Sequence, residues 1–388
     1  MSLGSPTIAS SRQSMPKPWG INVVGYVRAV SGLGEAARST IDAVQKLGLR
    51  LSVIDLTSSI PIAALDLPVP EFGAPYDTTI YQINPGALLS ELDHSLHLRG
   101  GTDRQVGCFF WESEEVPREW LPAFDLVDEV WAASEFLAKA FQRVTDKPIR
   151  RLHPPFSVPS DIEANRGRFG WSPDEFVVVF VADALSGLDR KNPVGLVDAF
   201  EAAFAPSYEG VRLVLKINHA NRFPVIAERI RALGRAPVEL WTQPVTRPEL
   251  LQLMASASLY VSLHRSEGLG LTLLEAMSLG VPVMATAYGG NLDFMDDTCG
   301  LLVDWSPALA GYVEGSPYNG HRWAEPNLHT AAEMLRTARR EPDLLSRLST
   351  AGRQRVSTRF PVDGHARSVG ALLGVEIERA VKMPGEVV

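Results

Sequence analysis

Apolar runs of strand length alternate with amphipathic stretches of helix length along most of this chain. That alternation restricts the fold more than any other feature. "INVVGYV", "LSVIDL", "TTIYQIN", "QVGCFFW" and "DEVWAAS" read as strands in the first half, and "FVVVFVAD", "VRLVLKI", "VELWT", "SLYVSL" and "VPVMAT" repeat the scheme in the second. Helical patterns such as "GEAARSTIDAVQKLG", "SEFLAKAFQRVT", "NPVGLVDAFEAAF" and "RPELLQLMASA" separate them. Strands that are apolar throughout, rather than at alternate positions, are buried on both faces, which calls for parallel sheets covered by helices. Two such sets in 388 residues predict two doubly wound α/β domains, because a single core stops growing below that length.

The aperiodic, Pro- and Gly-rich stretch 153–176 marks the joint. We expect a disordered leader over 1–18, one Rossmann-like domain over 19–158, and a second over 159–360. A C-terminal helix over 361–388 should pack back toward the first domain. The tail from about residue 328 reads as helical throughout. Parallel α/β sheets place ligands at the carboxyl ends of their strands, so the cleft between two of them is the expected site.

Composition excludes several classes. A net charge of −8 lacks the basic surface of a nucleic-acid binder, and only two cysteines, Cys108 and Cys299, rule out a disulfide scaffold. The apolar run "FVVVFVADAL" is about half of a membrane span. The polar opening lacks the apolar centre of a signal peptide, so the cytoplasm is the expected compartment. Lys139, Arg143, Lys147, Arg150 and Arg151 crowd one helical region, a face that could meet anionic lipid peripherally.

The densest chemistry lies in "YVSLHRSEGLGLTLLEAMSLGVPVMAT", residues 260–286. A strand gives way to a Gly-x-Gly turn, Gly268-Leu269-Gly270, that opens a helix. Glycines let backbone amides approach a ligand, and unpaired N–H groups of a first helical turn attract phosphate. Glu267 on the turn and Glu275 inside the helix would repel a diphosphate. They would instead accept hydrogen bonds from hydroxyls at its two ends, a sugar and a ribose. A nucleotide-sugar fits the whole arrangement. Arg190 and Lys191, before a helix opening at Asn192-Pro193, are placed to neutralise a departing diphosphate, with the Ser186 hydroxyl as a further donor. Gly32 and Gly34 open the first helix of the chain, but Gly-x-Gly-x-x-Gly is absent, which argues against a dinucleotide oxidoreductase. Lys216, Gln243 in the turn 241–245, and His264 follow or end strands that face the same cleft.

The stretch 266–286 resembles the Glu-x7-Glu motif of retaining glycosyltransferases of family 4, with Glu267 and Glu275 on its two acids. "YGGNLDFMDDTCGLLV" resembles that family's next Gly-Gly loop and Gly-Leu-Leu-Val strand, and "RKNP" its diphosphate-gripping loop. The block "CFFWESEEVPREWLPAFDLVDEVWAASEF" resembles bacterial polysaccharide and O-antigen members. The resemblance implies a GT-B fold: two doubly wound Rossmann-like domains with parallel sheets facing a cleft, the first on the acceptor side, the second holding the nucleotide-sugar. It implies metal-independent transfer of a hexose from a GDP- or UDP-sugar to a glycan or lipid-linked acceptor, with no cofactor. Gly32, Gly34, Ser186, Lys216, Gln243, His264, Gly268, Leu269, Gly270 and Glu275 would then contact the donor, and Arg190, Lys191 and Glu267 would act in catalysis. Many family members carry a histidine in the acceptor cleft where this chain has Trp111-Glu112. Glu112 is the candidate acceptor-side acid or base, or else an acid paired with a structural arginine, and Trp111 a flat face for a sugar or a core residue. A sugar-nucleotide epimerase or hydrolase, or a non-catalytic sugar-nucleotide binding module, would use the same pocket. The loop 315–327, "GSPYNGHRWAEPN", is expected at the rim of the cleft and receives no role.

Overall fold

The computed structural model describes residues 17–60, 64–67, 73–94, 104–154, 156, 158–222, 224–232 and 236–375. All but the last two residues of the expected leader, and the end of the C-terminal helical pattern, lie outside that set.

Two six-stranded parallel sheets form two lobes, the GT-B arrangement expected above. The first contains β1 (Ile21–Gly25), β2 (Leu51–Asp55), β3 (Thr78–Gln82), β4 (Arg104–Cys108), β5 (Glu129–Ala132) and β6 (Ile149–Arg151), in spatial order β2-β1-β3-β4-β5-β6. The helices α1 (Gly32–Lys46), α2 (Pro85–His94), α3 (Pro122–Asp125) and α4 (Glu135–Gln142) belong to this lobe. Ser31 caps α1 by accepting from the Gly34 amide, and Ser134 caps α4 through Leu137. β1, β3 and β5 are buried at every position, and their polar members are paired: Asn22 donates to the Thr78 carbonyl, Gln82 accepts from Thr40, and Glu129 accepts from Arg104.

The second sheet contains β7 (Phe176–Asp183), β8 (Val211–Asn218), β9 (Val238–Trp241), β10 (Leu259–Ser262), β11 (Val283–Thr286) and β12 (Leu301–Val303), ordered β12-β11-β10-β7-β8-β9. Its helices are α5 (Leu188–Lys191), α6 (Pro193–Phe204), α7 (Pro224–Ala232), α8 (Arg247–Ala255) and α9 (Leu271–Ser278). The strand order reverses between β7 and β10, which are hydrogen-bonded neighbours. Ligands of open parallel sheets bind beyond the strand ends at such a reversal. The loops leaving β7 and β10 there are 184–192 and 263–270.

A two-stranded antiparallel hairpin, β13 (Trp305–Leu309) and β14 (Arg322–Pro326), stands outside both sheets. The tail is helical: α10 (Leu328–Arg340), α11 (Pro342–Arg359) and α12 (Gly364–Leu373). α10 packs on α6 and α11 on α9, whereas α12 crosses to the first lobe and lies on α1. Val369 joins Val44 and Leu47 in the first lobe's core, and Arg104 Nη2 donates to the Leu372 carbonyl at 2.7 Å. The chain therefore passes between lobes twice. The passages touch: Ser368 Oγ accepts from the His153 amide at 2.9 Å, and the His153 ring packs edge-on to Phe360 at 5.0 Å.

The basic face expected near α4 is not a bare cationic surface. Lys139 pairs with Glu135 at 3.7 Å, Arg143 with Glu114 at 3.0 Å, Arg150 with Glu129 at 2.8 Å, and Arg151 with Asp293 at 2.6 Å. Acids from both lobes thus pair with four of the five cations. Among the described residues no helix is long and apolar enough to cross a membrane.

Candidate active site

The loops leaving β7, β10 and β4 bring four of the expected residues into one cluster. α5 is a single turn that brings both adjacent cations to one carboxylate. Lys191 carries its ammonium to the Glu267 carboxylate, and the Arg190 guanidinium lies 3.5 Å from the same oxygen. On its other side Arg190 stands 3.6 Å from Glu112, which arrives from the first lobe after β4. One guanidinium thus separates two carboxylates, one from each lobe.

Arg190 differs from the loop cation that the sequence suggested. It is 1% exposed and donates to the backbone carbonyls of Ser266 at 2.7 Å and Ser186 at 2.8 Å. Its side chain is part of the scaffold, whereas the Lys191 side chain, 15% exposed, is bound through its ammonium to Glu267. Burial alone would weaken the hold of Arg190 on its proton; Glu112, Tyr318 and Glu267 more than reverse this and hold it above the ordinary arginine range. For Glu267, burial works to raise the pKa, but Lys191 and then Arg190 outweigh it and bring the carboxyl down to about 2.

Gly268, Leu269 and Gly270 form the turn into α9. Gly270 adopts φ +92° at the N-cap, a conformation that favours glycine, and no side chain caps the helix. A Cβ on Gly268 would lie 2.1 Å from the Trp111 carbonyl oxygen, so the lobes meet backbone to backbone at this residue. The Gly-Gly loop after β11 is needed for the same turn, since a Cβ on Gly290 would lie 2.0 Å from the Gly268 carbonyl oxygen.

Glu275 lies inside α9 and is 6% exposed. One carboxylate oxygen accepts from Arg247 Nη2 at 2.6 Å, and the other has no partner. Burial raises its pKa, against the pull of Arg247. Glu35, in the first turn of α1, acts electrostatically on both Arg247 and Glu275. The start of α1, with Gly32 and Gly34, therefore faces α9 across the cleft. A Cβ on Gly32 would meet nothing within 4 Å, whereas one on Gly34 would lie 2.1 Å from the Ala29 carbonyl oxygen. Gly34 is thus required by its own loop, and only Gly32 leaves room for a ligand.

Several expected contacts are occupied by the protein itself. The Ser186 hydroxyl donates to the Asp183 carbonyl at 2.7 Å. His264 is fully buried between the Ser262 hydroxyl at 3.0 Å and the Tyr288 carbonyl at 2.8 Å, and burial pushes its pKa down to about 4. It is a neutral structural imidazole rather than a lining residue. Arg265 forms a forked pair with Glu325 at 2.6 and 2.9 Å and covers Trp323, tying the hairpin to the 263–270 loop. Lys216 is buried within β8 against Asn218, its pKa lowered by burial with Asp183 opposing. Gln243 is exposed in the turn after β9. Neither joins the cluster. Trp111 is buried between Trp120 and Tyr318, stacked on the latter at 4.9 Å and 12°, so it offers no open face to a sugar.

Two residues had no signal in the sequence. Tyr318, in the loop between β13 and β14, donates its hydroxyl to Glu112 at 2.7 Å and places its ring under Arg190. Arg247 opens α8 and is 28 positions from the glutamate it grips. No motif covers either. Among the described residues no three His, Cys, Asp or Glu side chains are grouped closely enough to hold a metal ion.

Residues 161–313 match the family described as glycosyl transferases group 1. D-inositol 3-phosphate glycosyltransferases are similar to the chain. That of Mycobacteroides abscessus is 31% identical over 162 residues, covering 39% of this chain and 35% of its own. That of Segniliparus rotundus is 34% identical over 160 residues, covering 38% and 33%. The chain spans about a third of the length of these curated relatives. Among solved structures, Anabaena HepE in complex with UDP and glucose gives a TM-score of 0.65 at 19% identity, over 91% of this chain and 99% of that one. Sucrose-phosphate synthase from Thermosynechococcus elongatus gives 0.67 at 16% identity, over 92% and 98%. At such identities the likeness establishes the fold, GT-B, along nearly the whole chain. The family match lies in the second half.

Proposed function

We propose that the chain is a retaining, metal-independent glycosyltransferase. It would move a hexose from a UDP- or GDP-sugar to a hydroxyl of a glycan or lipid-linked acceptor, in polysaccharide building. A single observation carries this: Lys191, Glu267 and the uncapped turn 268–270 converge at the end of β10, with the free oxygen of Glu275 farther along the same helix. Donor amides and a cation suit a diphosphate, and flanking acceptors suit the hydroxyls beyond it. The UDP-glucose complex of HepE supports the same donor class, and the curated relatives, named as glycosyltransferases, support the same type of reaction.

In the reaction, the bond between sugar C1 and the phosphate oxygen breaks while the acceptor oxygen bonds to C1 on the same face. The acceptor proton passes to the released phosphate oxygen. Lys191 and the amides of the turn stabilise the charge left on the diphosphate, the work a metal would otherwise do. Glu267, held ionised by its two cations, accepts from sugar hydroxyls, and Glu112 faces the acceptor. Thermal-shift and calorimetric titration with UDP-, GDP-, ADP- and dTDP-glucose test the reading. One of them should bind in the micromolar to millimolar range usual for substrates. If none binds, the assignment is wrong. Sugar released only to water, with every acceptor offered, would mark a hydrolase instead.

A further inference from the structure

Glu275 presents an unusual balance. Its carboxylate is buried, and one of its oxygens makes no hydrogen bond, which costs free energy unless a ligand supplies the donor. Of the charged groups facing it, Arg247 of α8 is the one at hydrogen-bond distance. Glu35 of α1 opposes it across the cleft, and the buried Tyr260 of β10 stands nearby. Arg353 of α11, also packed near α9, reaches instead to the Leu279 carbonyl beyond the helix end. The backbone that carries Arg247 is firmly set, although its side chain is 41% exposed. The helix it opens has a full capping box, in which the Thr246 hydroxyl and the Glu249 carboxylate each accept from the other's backbone amide, with Pro248 in the first turn.

We propose that Arg247 is a positioning residue for the donor's ribose: by gripping one oxygen of Glu275 it fixes the carboxylate's rotation and leaves the second oxygen for the ribose hydroxyls. This deepens the function proposed above and rests on it. An ionised carboxylate accepts from two hydroxyls, whereas a protonated one must spend one oxygen as a donor. Burial favours the protonated form, and Arg247 counters that tendency. Without Arg247, Glu275 would hold its proton to higher pH and lose its fixed rotation.

Calorimetric titration with UDP, 2′-deoxy-UDP and GDP across pH 5.5–8.5 tests this on the full chain. For the wild type, removing the ribose hydroxyl should weaken binding about tenfold, with little change above pH 7. Arg247→Met should weaken UDP binding about ten- to thirtyfold at pH 7, recover part of it as pH rises, and discriminate poorly between UDP and its deoxy form. Arg247→Lys should restore most of both. Glu275→Gln, which cannot ionise, should show the same poor discrimination with no pH recovery, and it stands in should Arg247→Met fail to fold. Undiminished discrimination in Arg247→Met or Glu275→Gln, or a pH profile in Arg247→Met that follows the wild type, overturns the role of Arg247 while leaving the donor assignment standing. A wild type that binds neither UDP nor GDP removes both.

Discussion

Arg190 and Lys191 are neighbours of the same charge, and the structure assigns them opposite vulnerabilities. Arg190→Met keeps the length of the side-chain stem but deletes two hydrogen bonds from a charged donor to the Ser266 and Ser186 carbonyls. It also leaves Glu112 and Glu267 facing each other with no guanidinium between them. Breaking one side of a buried ion pair costs about 3–5 kcal/mol. At roughly 2–4 °C per kcal/mol for a domain of this size, the unfolding midpoint should fall by about 10 °C. Lys191→Ala leaves Glu267 its second cation 3.5 Å away, so we expect a cost of only about 1–2 kcal/mol. Its effect should appear in turnover, with kcat down about a hundredfold or more as leaving-group stabilisation is lost. Scanning fluorimetry on the eight tryptophans and a donor-turnover assay read the two quantities separately. An Arg190→Met protein that melts within 2 °C of the wild type, or a Lys191→Ala protein less stable than Arg190→Met, would refute the division.

Acid should weaken the fold well before the carboxylates titrate. Burial holds His264 and His365 at about 4 against an ordinary 6.5, so their neutral forms stabilise the protein fully above pH 6.5 and that contribution is lost as pH falls toward 4. At pH 5 each should have lost about 2 kcal/mol; urea midpoints at pH 7.5 and 5 measure it, and a His365→Gln protein with an unchanged pH slope would contradict the assignment. Gly268→Ala places a methyl 2.1 Å from the Trp111 carbonyl, between two backbones that cannot turn aside. Far-UV circular dichroism should stay constant while turnover drops at least tenfold; full activity would mean that the lobes do not close at this residue. Tyr318→Phe removes only the hydroxyl that Glu112 accepts. It should cost about 1 kcal/mol of stability and lower kcat with donor KM unchanged, and a rise in donor KM alone would place Tyr318 on the wrong side of the site.

The sheets were legible because their strands bury both faces: Phe176–Asp183 and Val211–Asn218 can be little else. β6 was not, because Arg150 and Arg151 give it the look of a solvated helix end. Only the tertiary structure supplies Glu129 and Asp293 as their partners. The β13–β14 hairpin was hidden by Pro307 and Pro326, which normally argue against a strand. It persists as an isolated ribbon because Arg265 clamps Glu325 and covers Trp323. In the site, spacing revealed the two glutamates and the glycine turn. It could not tell a fully buried arginine from a partly exposed lysine in "DRKN", since a single helical turn decides which of them lies deeper. Arg247 and Tyr318 act on residues far away in sequence, and no local pattern encodes such a pairing.

The two passages of the chain between lobes run side by side, joined where His153 meets Phe360 and Ser368. A door hung on adjacent pins swings about one line and resists twisting or sliding, and this molecule is hung in the same way. Opening and shutting should therefore return Trp111 to Gly268 along a single arc, and ending the chain before Gly364 would remove one pin and let the leaves meet out of register.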